Sequence, residues 1–209
     1  MIQSCVRSIL TLLVLPLLVL PMLLSSAAGA ADLRIRVITP DGEPVANAVV
    51  SVPGELTAVA LRAEPLEMAQ VDIQFDPFVL VVPRGADVVF PNRDRVRHHV
   101  YSFARGNRFE LELYGREQER SVRFDVAGPV PLGCNIHDQM IAFIRVVDTP
   151  FAARTDADGR AVLAGLPAGS TTLTVWHPYG NAEDNVVTLA IDPAGGTEAT
   201  VTLALLGRN

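Results

Sequence analysis

The sequence predicts an all-β protein, on three observations. From Ala31 onward, β-branched and apolar residues alternate with polar ones in short runs. Turns rich in Gly, Pro and Asp separate those runs. No segment after the first thirty residues sustains the apolar stripe of a surface helix.

Residues 1–30 stand apart. Arg7 precedes an apolar run from Ile9 to Leu24, and Ala28-Gly29-Ala30 closes the segment. A basic start, an apolar middle and a small-residue end make a secretory signal peptide. The exported protein is expected to be periplasmic, with no membrane association after cleavage. Cleavage removes Cys5, so Cys134 is the sole cysteine of the mature chain and no internal disulfide is possible. An unpaired thiol in an oxidising compartment calls for a reason, and metal ligation supplies one. All 17 basic residues are arginine, and the formal charge of −6 becomes −7 once Arg7 leaves. That acidity argues against general nucleic-acid binding, although Arg93, Arg95, Arg97, Arg105 and Arg108 make one region locally basic.

In order, Leu33 to Val37 alternates as a strand, Thr39-Pro40-Asp41-Gly42-Glu43-Pro44 turns, and Val45 to Val52 returns as the second arm of a hairpin. Residues 54–70 read as a linker, with Pro65 weakening any helix. Strand material runs from Val71 to Val82 around Asp76-Pro77, Arg84-Gly85 turns, and Asp87 to Phe90 leads to Asn92 and the His98-His99 pair. Phe109, Leu111 and Leu113 alternate with Glu110 and Glu112, a strand with one wet face. Val122 and Phe124 repeat the pattern, and Val130 to Gly133 runs into Cys134. Ile141 to Val147 is apolar apart from Arg145, as a sandwich interior requires. Further strands are Ala161 to Leu163, Thr171 to Trp176, Val186 to Ile191 and Glu198 to Leu203. His177 has no second His or Cys near it in sequence and is assigned to packing.

The chemistry concentrates in Gly133-Cys134-Asn135-Ile136-His137-Asp138-Gln139-Met140. Cys134, His137 and Met140, joined by a histidine of the upstream pair, supply a thiolate, two imidazoles and a thioether. That is the donor set of a mononuclear blue-copper site, with His₂Cys in a plane and Met at a long axial distance. A structural zinc site would favour more Cys or His and less Met. Neighbouring strand residues point to opposite faces, so only one of His98 and His99 can face the metal.

Residues 75–148 resemble the cupredoxins, most closely the amicyanin and pseudoazurin families. The resemblance lies in Val88-Val89-Phe90-Pro91-Asn92 followed at the family's interval by His98, and in the Cys134-x₂-His137-x₂-Met140 loop. It implies a Greek-key sandwich holding one type 1 copper on His98, Cys134, His137 and Met140. His99 then departs from the family's pattern, and Asn92 becomes a candidate to tie the His98 strand to the Cys134 loop. Residues 33–52, together with Thr155 to Leu203, resemble a transthyretin-like or carboxypeptidase regulatory-like sandwich of Ig-like type. The combination is also similar to bacterial proteins labelled methylamine utilization protein. The expected domains are 31–55 plus 149–207 as the discontinuous sandwich and 70–148 as the copper domain inserted into or joined to it.

The resemblance implies a one-electron carrier, not an enzyme, serving a redox protein such as a c-type cytochrome or an amine dehydrogenase-like donor. Copper storage or delivery is the alternative, yet such sites are usually Met- or His-rich and the mature chain has only Met68 and Met140. A non-redox carbohydrate- or protein-binding module would leave the ligand loop unexplained. His99 and His177 are too few to build a second centre. The Arg93, Arg95 and Arg97 run reads as a solvated loop, with a docking rim for an acidic partner as its sharper reading.

Overall fold

A computed structural model describes residues 31–56, 66–169, 171–193 and 197–207. The leader expected at 1–30 lies outside them. The protein is all-β: among the described residues, the one helical element is a single 3₁₀ turn at Glu183–Asn185.

Four sheets form two sandwiches. In the first, β1 (Ala31–Ile38) sits between β14 (Arg160–Leu166), to which it is antiparallel, and β17 (Glu198–Thr202), to which it is parallel. The facing sheet runs β13 (Ala152–Arg154), β2 (Val49–Ser51), β15 (Thr171–Trp176), β16 (Val186–Ile191). Strict alternation turns Leu33, Ile35 and Val37 of β1 inward onto Val50, Leu163, Leu173 and Val175, while Arg34 and Arg36 face water. Within the described residues the first two strands therefore pair only with strands far along the chain. Buried Thr155 ties that junction: its hydroxyl donates to the Val45 carbonyl at 2.7 Å and accepts from the Ala48 amide at 2.9 Å. Gly159 closes it from outside, because a Cβ there would stand 2.4 Å from the Val37 carbonyl oxygen.

The second sandwich pairs a five-stranded sheet with a three-stranded one. The larger is ordered β6 (Val79–Pro83), β12 (Ile141–Val147), β11 (Gly128–Cys134), β8 (His98–Ser102), β9 (Phe109–Tyr114). The smaller is β10 (Ser121–Phe124), β7 (Ala86–Val89), β3 (Leu66–Glu67), and a hairpin of β4 (Ala69–Val71) and β5 (Gln74–Asp76) lies beside them. Phe90, Tyr114, Phe124, Val100, Ile144 and Met140 fill the space between.

Two sequence expectations change here. Residues 66–70 are not linker: Leu66–Glu67 pairs parallel with β7, Ala69–Val71 pairs with β5, and fully buried Met68 enters the core. These strands are too short to show a period in sequence. Residues 57–65 of the expected linker lie outside the described residues. The alternation of β9 also breaks, leaving Leu113 42 % exposed and Tyr114 fully buried. The cause is a register shift, His98 facing Tyr114 but Val100 facing Leu111, so β9 holds one extra residue and its faces swap.

The two sandwiches meet through a third apolar cluster. β12 buries Ala142, Ile144 and Val146 in its own core, whereas its other face, with Phe143 and Val147, packs with Val79 against Val49 and Trp176 of the first sandwich. An apolar strand interrupted only by Arg145 is what burial on both faces demands.

Candidate metal centre

Antiparallel pairing of β11 with β8 places Cys134 opposite Val100, two residues from His98. His98, Val100 and Ser102 alternate inward on β8, so His98 and Cys134 enter the same core. The chain then leaves β11 in a turn closed by the Met140 amide on the His137 carbonyl at 2.9 Å, which swings His137 back over the thiol.

Three donor atoms meet. Cys134 Sγ lies 3.6 Å from His137 Nδ1 and 4.0 Å from His98 Nδ1, and all three ligand atoms lie within 4.8 Å of one another. Metal–sulfur and metal–nitrogen bonds of about 2.3 and 2.0–2.1 Å set such donors roughly 3.6–3.8 Å apart around one ion. The residues therefore fit a mononuclear metal. Met140, 1 % exposed, shares the core cluster of Cys134 and lines the same shallow depression beside it. His98 is fully buried and Cys134 nearly so, while His137 alone of the three reaches the surface. His99 points the other way, its Nε2 2.9 Å from the Glu110 carboxylate.

One functional residue was missed by sequence reasoning. Asp94 Oδ2 lies 2.8 Å from His98 Nε2, and its carboxylate also accepts the backbone amides of Asp72 and Ile73 at 2.7 and 3.0 Å. A carboxylate only accepts, so Nε2 carries the proton and the Nδ1 lone pair faces Cys134. Burial tends to raise the Asp94 pKa, but the hydrogen bonds from Ile73, His98 and Asp72 outweigh it and hold the pKa below the usual carboxylate value. Burial lowers the His98 pKa against the pull of Asp94, which keeps the imidazole in the neutral form a metal binds. The sequence signal was slight: an Asp in a turn, four residues before a histidine.

Asn92 does not take the role expected of it. Its Nδ2 donates to the Val96 and Tyr114 carbonyls at 2.9 and 3.1 Å, and its Oδ1 accepts the Asp94 amide at 2.9 Å. It pins the loop before His98 to the end of β9 instead of reaching the Cys134 loop, and so fixes Asp94 under His98. Among the loop arginines, Arg93 is paired with Glu67, whereas Arg95 and Arg97 form no ion pair with a described residue.

No family model matches the chain, and no curated protein sequence was found similar to it. Solved structures of copper proteins are similar to part of it. A reduced single-site mutant of amicyanin is 21 % identical over 47 % of this chain and 98 % of its own, with a TM-score of 0.38. A purple cupredoxin from Nitrosopumilus maritimus is 17 % identical over 39 % of this chain and 99 % of its own, at 0.35. The Cu-containing nitrite reductase NirK from Thermus scotoductus SA-01 is 28 % identical over 46 % of this chain but only 25 % of its own length, at 0.39.

Proposed function

We propose that the protein is a periplasmic one-electron carrier with a single type 1 copper held by His98, Cys134, His137 and Met140. The observation that carries the proposal is the convergence of His98 Nδ1, Cys134 Sγ and His137 Nδ1 beside a buried methionine. The donor set favours copper over zinc, which gains nothing from a thioether. Copper bound there would supply a Cu(II)/Cu(I) couple; the work of the chain is to keep the ligands still. The flanking strands β9 and β11 and the Asp94 carboxylate hold His98 on β8, β11 holds Cys134, and a hydrogen-bonded turn holds His137. Ligands held this way would need little rearrangement between the two oxidation states of a bound copper. His137, the one ligand at the surface, would offer a bound copper its shortest path to a partner, and exposed Arg95 and Arg97 beside the His98 strand would suit an acidic redox protein such as a c-type cytochrome.

In this reading the copper domain is the second sandwich, and residues 31–55 with 149–207 form the transthyretin-like one, exported together behind a cleaved leader. Protein-film voltammetry with a copper chelator present separates carrier from delivery protein. A carrier cycles reversibly and keeps its metal in both states, whereas transfer of copper to the chelator on reduction would favour delivery.

A further inference from the structure

The face of the first sandwich that meets the copper-site sandwich is not wholly apolar. β2 and β15 pair with Trp176 opposite Val49 and Thr174 opposite Ser51, so alternation sets these four side chains on one face and Val50, Leu173 and Val175 on the other. Val49 and Trp176 are covered by Val79, Phe143 and Val147. Ser51 and Thr174, one step along the strands, are half-buried and line a groove of about 460 Å³ at the junction of the sandwiches. Arg145 lines the same groove from β12, its guanidinium carbon 5.1 Å from the centre of the Trp176 ring.

Each of these groups can donate into the groove. Arg145 forms no ion pair with a described residue, and the Ser51 and Thr174 hydroxyls form no hydrogen bond with one. The acid on the groove wall, Asp148, is engaged by Arg84. Burial alone pulls the Arg145 pKa below the ordinary arginine value, as expected of a cation removed from water without a counter-ion. The cation–π contact with the Trp176 ring takes up none of the guanidinium N–H groups as hydrogen-bond donors, which leaves the edge of the guanidinium to bind in its own plane. Two oxygens in a plane match that edge.

We propose that this groove is an oxyanion site that takes one small carboxylate, gripped by the Arg145 fork and the hydroxyls of Ser51 and Thr174. A single negative charge is the better match, because Arg145 is the one cation among the described residues of the groove wall and Asp148 there is already paired with Arg84. The site lies on the face of β12 turned away from the core that holds Cys134 and Met140, and it does not depend on the copper reading.

Trp176 is the only tryptophan of the chain, so its fluorescence reports on the guanidinium in contact with its ring. The full-length protein, copper-loaded and metal-free, is titrated with sodium acetate at ionic strength held constant with sodium chloride, and in parallel with inorganic phosphate. We expect a saturable change with acetate in both forms. Its midpoint should rise about tenfold or more in Arg145→Gln, the loss of a charge-assisted pair. The Ser51→Ala/Thr174→Val double variant, which leaves the Arg145–Trp176 contact in place, should raise it severalfold and guards against misfolding of the first. No saturable response, or an unchanged midpoint in both variants, overturns the site. Saturation by phosphate at lower concentration than acetate overturns the carboxylate assignment.

Discussion

Replacing Asp94 by Asn keeps the shape of the side chain and exchanges one oxygen for a donor. In the parent, Oδ1 takes the Asp72 amide, and Oδ2 takes the Ile73 amide and faces His98 Nε2. An Asn oxygen in the Oδ1 position keeps only the Asp72 amide and turns a donor toward His98 and Ile73, while one in the Oδ2 position keeps Ile73 and His98 but turns a donor toward the Asp72 amide. Either the His98 imidazole loses the group that fixes its tautomer or the 72–73 turn loses part of its anchor, and the negative charge behind His98 is lost in both. Loss of an orienting carboxylate behind a metal-bound histidine costs about 10–100-fold in metal affinity, or about 1.4–2.7 kcal/mol. Asp94→Ala removes all three hydrogen bonds and, at about 0.5–1.5 kcal/mol each, should destabilise the metal-free fold by roughly 2–4 kcal/mol. Competitive copper titration against a chelator of known affinity measures the first effect, and urea unfolding of metal-free protein the second. Copper affinity within threefold of the parent in Asp94→Asn, with the fold intact, would refute the argument that Asp94 orients His98.

Three further outcomes are expected. His98→Ala should abolish the copper site while His99→Ala leaves it in place, as read by copper stoichiometry; the reverse result would mean that the register of β8 is off by one. Trp176→Ala should cost about 3–5 kcal/mol in urea unfolding, since it empties a site closed by Phe143 and Val49 and loosens both sandwiches together; a loss under 1 kcal/mol would make the junction incidental. Tyr114 is held protonated far above the ordinary tyrosine value, chiefly by burial. A folded-state pKa raised above the unfolded value near 10 stabilises fully below that pH, and the stabilisation is lost as pH rises beyond it. Tyr114 should therefore titrate by ultraviolet absorption only on alkaline unfolding, and Tyr114→Phe should flatten the fall in stability above about pH 10.

What was legible in the sequence was what is local. Cys134, His137 and Met140 share one loop, so spacing alone brought them together; strand alternation allowed only one of His98 and His99 to join them, and the resemblance to the cupredoxins selected His98. Asp94 was not legible because its role depends on the turn at Asp72 and Ile73, 22 and 21 residues upstream, and on Asn92 holding the intervening loop. The swap of Leu113 and Tyr114 was hidden for the same reason: a bulge is a property of the paired strands, and Phe109-Glu110-Leu111-Glu112-Leu113 alternates on its own without one. Arg145 was visible as a break in an apolar strand, but its Trp176 partner belongs to the other sandwich.

The central claim is that the Cys134 thiolate and two imidazoles hold one copper, and the visible absorption spectrum of the copper-loaded protein tests it most directly. An intense thiolate-to-Cu(II) charge-transfer band at one copper per chain, bleached on reduction and absent in Cys134→Ser, is the predicted result. A colourless protein that takes only zinc when both metals are offered would contradict it.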